Sequence, residues 1–210
     1  MKILAFTDVH ASVAAFKKIQ ANIKKYKPDY LFCLGDVTIF EQNIKQVLEK
    51  INSLGVKTLI IHGNHEMGPV MAKLCKKYKN LEYVHKKIVD LGDYIVLAHG
   101  GGGFYGPDYS DKDFDKFVRK NLKKLKKPTI LLTHAPPYKT KLDYLDWVGD
   151  YVGCESYTDY IYEMKPILAL AGHLHENFGK KQKIGKTLVC NPGPRGKVFR
   201  MKKANVSLLN

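Results

Sequence analysis

With 210 residues, 45% of them hydrophobic and 11% aromatic, the chain suits one compact domain over residues 1–210, although length alone also allows two small ones. No apolar stretch approaches membrane-spanning length. The N-terminus MKILAFTDVH is cut short by Asp8 and lacks a signal peptide's apolar region, so the expectation is a soluble, cytoplasmic protein with no membrane partner. The formal charge of +15 is mostly lysine, spread in pairs such as Lys17–Lys18 and Lys123–Lys124; this favours a solvated face and makes nucleic acid the less favoured partner.

In chain order, residues 2–8 (KILAFTD) predict a buried strand. Ser12 is the expected N-cap of a helix with Val13, Phe16, Ile19, Ile23 and Tyr26 on one side, stopping before Pro28. DYLFCLGD predicts a second strand, EQNIKQVLEKINSLG a second helix ending at Gly55, and KTLIIHGN a third strand. This β-α-β-α-β order implies a parallel sheet with right-handed crossovers. A helix around 69–79 precedes short strands with a hairpin at Leu91–Asp93. Then follow a helix near 112–125, the strand PTILLTH, and an irregular loop over 135–155. A helix near 156–164, the strand PILALAG and strands near 197–200 and 204–208 complete the chain. Cys33, Cys75, Cys154 and Cys190 lie far apart with no C-x-x-C spacing, so all four are expected to be reduced and structural.

The strand ends carry the chemistry. The first three offer Asp8 and His10 (TDVH), Asp36 (LGDV), then Asn64 and His65 (HGNHE); later ones offer His134 (THAPP), then His173 and His175 (AGHLH). In open parallel sheets, ligands bind outside the carboxyl ends of the strands. Carboxylate, imidazole and amide groups without thiolate suit Mn, Fe, Co, Ni or Zn, and there are too many for one open catalytic ion. Two ions sharing a carboxylate would use them all. Singly, each residue is better read as a cap, a turn residue or a satisfied histidine; the ordered set is not.

The set D-x-H, G-D, G-N-H-E, H and G-H-x-H, spanning residues 8–175, resembles the calcineurin-like metallophosphoesterase superfamily. The resemblance implies a four-layer αββα sandwich of two mixed β-sheets flanked by helices. It implies one metal on Asp8, His10 and His175, another on Asn64, His134 and His173, and Asp36 bridging, with Mn or Ni favoured. His65, with Asn64 and Asp36, is implicated in catalysis: a metal-bridging hydroxide attacks phosphorus in line while His65 assists the leaving group. Such help matters most for an alkoxide, which favours a phosphodiesterase acting on small or cyclic nucleotide-type diesters. The alternatives are a phosphomonoesterase or protein phosphatase, a nuclease, or a non-catalytic scaffold of the same fold. The pattern specifies no oligomeric state.

Two departures bear on the pocket: many relatives have Gly where this chain has Ala11, and many carry another polar residue after G-D where this chain reads VTIF. His62, His85 and His99 match no motif and read as packing or surface residues. Gly100–Gly103 is no P-loop and reads as a flexible loop beside the site. Tyr138, Asp146, Trp147 and Arg195 are candidates for lining the pocket or for structural roles.

Overall fold

In the computed structural model, residues 1–103 and 110–210 are described. Along β1 (Lys2–Phe6), Ile3 and Ala5 face one way and Leu4 and Phe6 the other, and all four are fully buried. A strand buried on both faces needs cover on both. Leu4 and Phe6 pack under helices with Phe16, Ile19, Leu48, Ile51 and Met71. Ile3 and Ala5 meet a second sheet through Val96, Ala98, Ile130, Leu132 and Leu168.

The first sheet runs β14-β13-β1-β2-β3-β4, with β2 (Tyr30–Cys33), β3 (Thr58–Ile60), β4 (Leu81–Tyr83), β13 (Lys197–Lys202) and β14 (Asn205–Leu208). Here β1 to β3 are parallel, as the alternating order predicts, β4 joins them in parallel, and β13 and β14 are antiparallel additions. The helices α1 (Val13–Tyr26), α2 (Ile44–Asn52) and α3 (Gly68–Cys75) cover its outer face. The second sheet runs β11-β12-β10-β7-β6-β5, with β5 (Lys87–Asp90), β6 (Ile95–His99), β7 (Thr129–Thr133), β10 (Leu168–Leu170), β11 (Lys181–Ile184) and β12 (Thr187–Cys190). Its outer face is covered by α4 (Lys112–Asn121) and α5 (Glu155–Met164). The result is the αββα sandwich of two mixed sheets.

Local chemistry sets the helix ends. Ser12 Oγ accepts the Ala15 N–H at 3.3 Å, and Lys27 ends α1 in the left-handed region just before Pro28. Val13 is 57% exposed, contrary to the expectation that it shares the packed side. Helix α2 is shorter than predicted because Phe40, Glu41 and Asn43 all have positive φ, so the helix starts only at Ile44. Helix α3 ends at Cys75 rather than near 79, where tighter turns from Lys77 to Leu74 and Tyr78 to Cys75 replace helical bonding. The segment 135–155 is not irregular throughout. It holds the short hairpin β8 (Tyr144–Leu145) and β9 (Asp150–Tyr151), and the buried Asp143 carboxylate accepts the N–H groups of Lys139, Thr140 and Gly153. All four cysteines are buried and free.

Candidate metal centre

Five parallel strands deliver the expected residues to one place. Asp8 and His10 follow β1, Asp36 follows β2, Asn64 and His65 follow β3, His134 follows β7, and His173 and His175 follow β10. Ligand atoms lie within 4.8 Å of one another in three overlapping groups: Asp8, His10 and His175; His10, Asp36 and His65; Asp36, His134 and His173. Asn64 Oδ1 joins the third group, 3.0 Å from His134 Nε2. All eight residues are therefore brought together, and Asp36 is common to two groups.

The donor set fits cations. His10 Nδ1 sits 2.7 Å from Thr38 O and His134 Nδ1 2.8 Å from Leu34 O, so each ring donates its Nδ1 proton outward. A bond of that kind orients a ligating imidazole and leaves Nε2 for a metal. His10 Nε2 lies 3.2 Å from His175 Nε2. Asp8 Oδ2 accepts from Thr7 Oγ1 at 2.6 Å and the His173 N–H at 3.0 Å. Asp8 Oδ1 is buried, accepts no hydrogen bond among the described residues, and sits 3.6 Å from His175 Nε2. A buried carboxylate oxygen without a donor is costly unless a cation compensates it. These residues fit a dinuclear divalent metal centre.

Electrostatics follow the same geometry. Burial works to raise the Asp36 pKa, yet the hydrogen bond and charge of His134, with the His65 N–H, bring it down to about 2. Burial opposes a charged His134, but the Asp36 carboxylate 3.4 Å from its Nε2 lifts it to about 9. Burial, then the charge on His134, push His173 down to about 4. The Asp8 carboxylate raises His175 against its burial.

The backbone is bent tightly to do this. Asp8, His10, Asp36 and His173 have φ of 52°, 41°, 50° and 70°. Left-handed conformation in non-glycine residues is unfavourable and tends to concentrate at functional sites. Gly172 is required beside them, since a Cβ there would lie 2.6 Å from Asp8 Oδ2 and collide with Thr7 Oγ1.

Glu66 is the residue that sequence reasoning missed, although the G-N-H-E motif contains it. It is 5% exposed, and its carboxylate accepts the N–H groups of Asp36 (3.0 Å), Thr38 (2.9 Å) and Gly63 (3.2 Å) and the Thr38 hydroxyl (2.8 Å). It thus ties the loop after β2 to the loop after β3. Phe40 was also missed: its N–H donates to His65 Nδ1 at 3.3 Å, and its ring lies 4.4 Å from the imidazole. With Nδ1 accepting, the neutral His65 ring carries its proton on Nε2, 3.8 Å from Asp36 Oδ2.

The remaining candidates separate. Tyr138 is 7% exposed and packs on Tyr151, while Trp147 is 71% exposed near the turn between β8 and β9. Asp146 is exposed, and Arg195 lines a groove beside the centre. The Gly100 and Gly101 N–H groups are taken by His85 Nδ1 and His62 O, so neither is left to cradle a phosphate. His99 is buried rather than exposed, with Nδ1 2.9 Å from the Tyr157 hydroxyl.

The chain is similar to known proteins over its whole length. A crystal structure of TT1561 from Thermus thermophilus superposes with a TM-score of 0.75 at 15% identity, covering 100% of this chain and 98% of that one, and supports the fold. An uncharacterized protein of Methanocaldococcus jannaschii is 29% identical over 221 residues, covering 100% of this chain and 96% of the relative. A Synechococcus protein named a probable cyclic nucleotide phosphodiesterase is 22% identical over 208 residues, covering 90% of this chain and 79% of the relative. The family pattern of calcineurin-like phosphoesterases matches residues 1–177, a span that includes every strand end meeting at this centre. The chain belongs to the calcineurin-like phosphoesterases and is a hydrolase of phosphoric esters.

Proposed function

We propose that residues 1–210 form a single catalytic domain that hydrolyses phosphodiesters, with small or cyclic nucleotide-type diesters as the favoured substrates. One ion would be held by Asp8, His10 and His175 and the other by Asn64, His134 and His173, with Asp36 shared; Mn and Ni are the favoured metals. Bound there, two cations supply Lewis acidity, lowering the pKa of water and neutralising charge on phosphoryl oxygens.

The observation that carries the diesterase reading is the His65 ring. Phe40 holds Nδ1, His10 packs edge-on with centroids 5.0 Å apart, and the proton-bearing Nε2 faces Asp36. The His65 side chain is 20% exposed, so an incoming ester can reach it. A hydrogen bond donated from this Nε2–H steadies the charge that develops on a departing alkoxide, which leaves poorly without such help. The name of the Synechococcus relative supports the same reading.

The test is His65→Ala across a series of leaving groups. The variant should keep its metals and lose roughly 10²–10⁴-fold in turnover. The loss should be greatest for alkoxides and should shrink for p-nitrophenolate. Equal deficits across the series would make His65 a phosphate-positioning residue instead, and absence of wild-type turnover would favour a scaffold.

A further inference from the structure

A groove of about 740 Å³ lies beside the metal centre, between one face of α1 and the loop after β12. Lys18 and Lys25 project from α1, Arg195 comes from the loop, and Lys197 opens β13. Tyr26 and Phe178 add two aromatic rings to the lining. Among the described residues, no aspartate or glutamate lines the groove and none of the four cations is paired with a carboxylate.

The groove is built onto the centre. The Phe178 ring stacks on the His175 imidazole with centroids 4.9 Å apart and planes 29° apart. Gly193, at φ +64°, lies where a Cβ would come within 3.2 Å of Phe178, and its carbonyl accepts the N–H of Thr7, next to Asp8, at 3.3 Å. The buried Asn22 side chain donates to the Arg195 carbonyl at 3.2 Å, which fixes the loop against α1 while the guanidinium stays exposed.

Four cations that line one groove with no side-chain carboxylate among the described residues repel one another, and a polyanion relieves that repulsion. A single phosphate held at the metal centre leaves the groove unused. Cations tracking a backbone, with aromatic rings for bases to stack on, are the general recognition mode for single-stranded nucleic acid. We propose that this groove binds the part of a linear single-stranded nucleic acid that flanks the phosphate held at the metal centre. This rests on the phosphodiesterase reading for the placing of that phosphate, and it extends the substrate class from small and cyclic diesters to linear oligonucleotides.

The test is fluorescence anisotropy with a labelled oligothymidylate of about ten nucleotides and metal-stripped protein, so that binding is read without hydrolysis. The variants are Lys18→Glu with Lys25→Glu, Arg195→Glu, and a charge-matched control at the exposed Lys123 and Lys124. Groove variants should bind at least about tenfold more weakly and show a flatter salt dependence, because phosphate contacts are lost. The control should change far less. Wild-type affinity in the groove variants, or an equal loss in the control, would overturn the proposal. Displacement of the oligonucleotide by inorganic polyphosphate at equal charge concentration would overturn the assignment to nucleic acid. Wild-type turnover of bis(p-nitrophenyl) phosphate with Mn²⁺ separately tests the diesterase reading, which can fail while the anisotropy still decides the groove.

Discussion

Glu66 Oε2 accepts the backbone N–H of Asp36 at 3.0 Å, so one buried carboxylate positions another across two loops. Glu66→Ala strips the acceptor from three backbone N–H groups, those of Asp36, Thr38 and Gly63. At about 1–3 kcal/mol for each unsatisfied group, the expected destabilisation is about 3 kcal/mol or more. Glu66→Gln should fall between wild type and Ala, because its NH₂ must face a donor on one side or the other. Urea unfolding gives the stability, and elemental analysis should show metal loss in the same order.

Ala11 sits exposed at φ 57°, where this chain departs from the glycine expected by resemblance. The left-handed conformation costs a non-glycine residue about 1–2 kcal/mol. Glycine removes that cost but adds about 0.4–1 kcal/mol of unfolded-state entropy. Ala11→Gly is therefore expected to stabilise the protein by about 0.5–1 kcal/mol, read as a higher urea midpoint with unchanged slope. A lower midpoint would show that Ala11 is held by contacts of its methyl group.

The Asp36–His134 pair gives the metal-free protein a defined pH response. His134 is raised from 6.5 to about 9, so its contribution is complete below pH 6.5 and lost as pH rises through 9. Asp36 is lowered from 3.8 to about 2, so its contribution is present above pH 3.8 and lost as pH falls through 2. The pair should support stability most fully between these limits, as measured by unfolding of chelator-stripped protein across pH. Metal binding at pH 7 must expel the His134 proton, so calorimetry in buffers of differing ionisation enthalpy should show about one proton released per chain from this group.

Chelation should abolish activity, and Mn²⁺ or Ni²⁺ should restore it. If Asp36 serves both ions, Asp36→Asn should weaken both binding events, whereas His10→Ala should weaken one. Calorimetric titration of the two variants decides this; two unimpaired events in Asp36→Asn would remove Asp36 from the shared role.

The β-α-β-α-β order, the parallel β1–β3 core and the placing of polar groups at strand ends were legible in the chain itself. Hydrophobic runs ending in Asp, Asn or His are local patterns, and a parallel sheet brings its own strand ends to one edge; joining the ends of β1, β2 and β3 to those of β7 and β10 took the stacking of the two sheets. Tertiary structure decided which histidines turn inward. His99 ends one apolar strand and His134 follows another in the same sheet, and the register of β6 and β7 pairs His99 with Thr133. His134 therefore lies one residue further on, its side chain directed to the opposite face by the two-residue period of a strand. That single step sends His134 to Asp36 and His99 to Tyr157. The groove, too, exists only in three dimensions. Lys18, Phe178 and Arg195 are remote in sequence, and only the packing of α1 against the loop after β12 brings them to one wall.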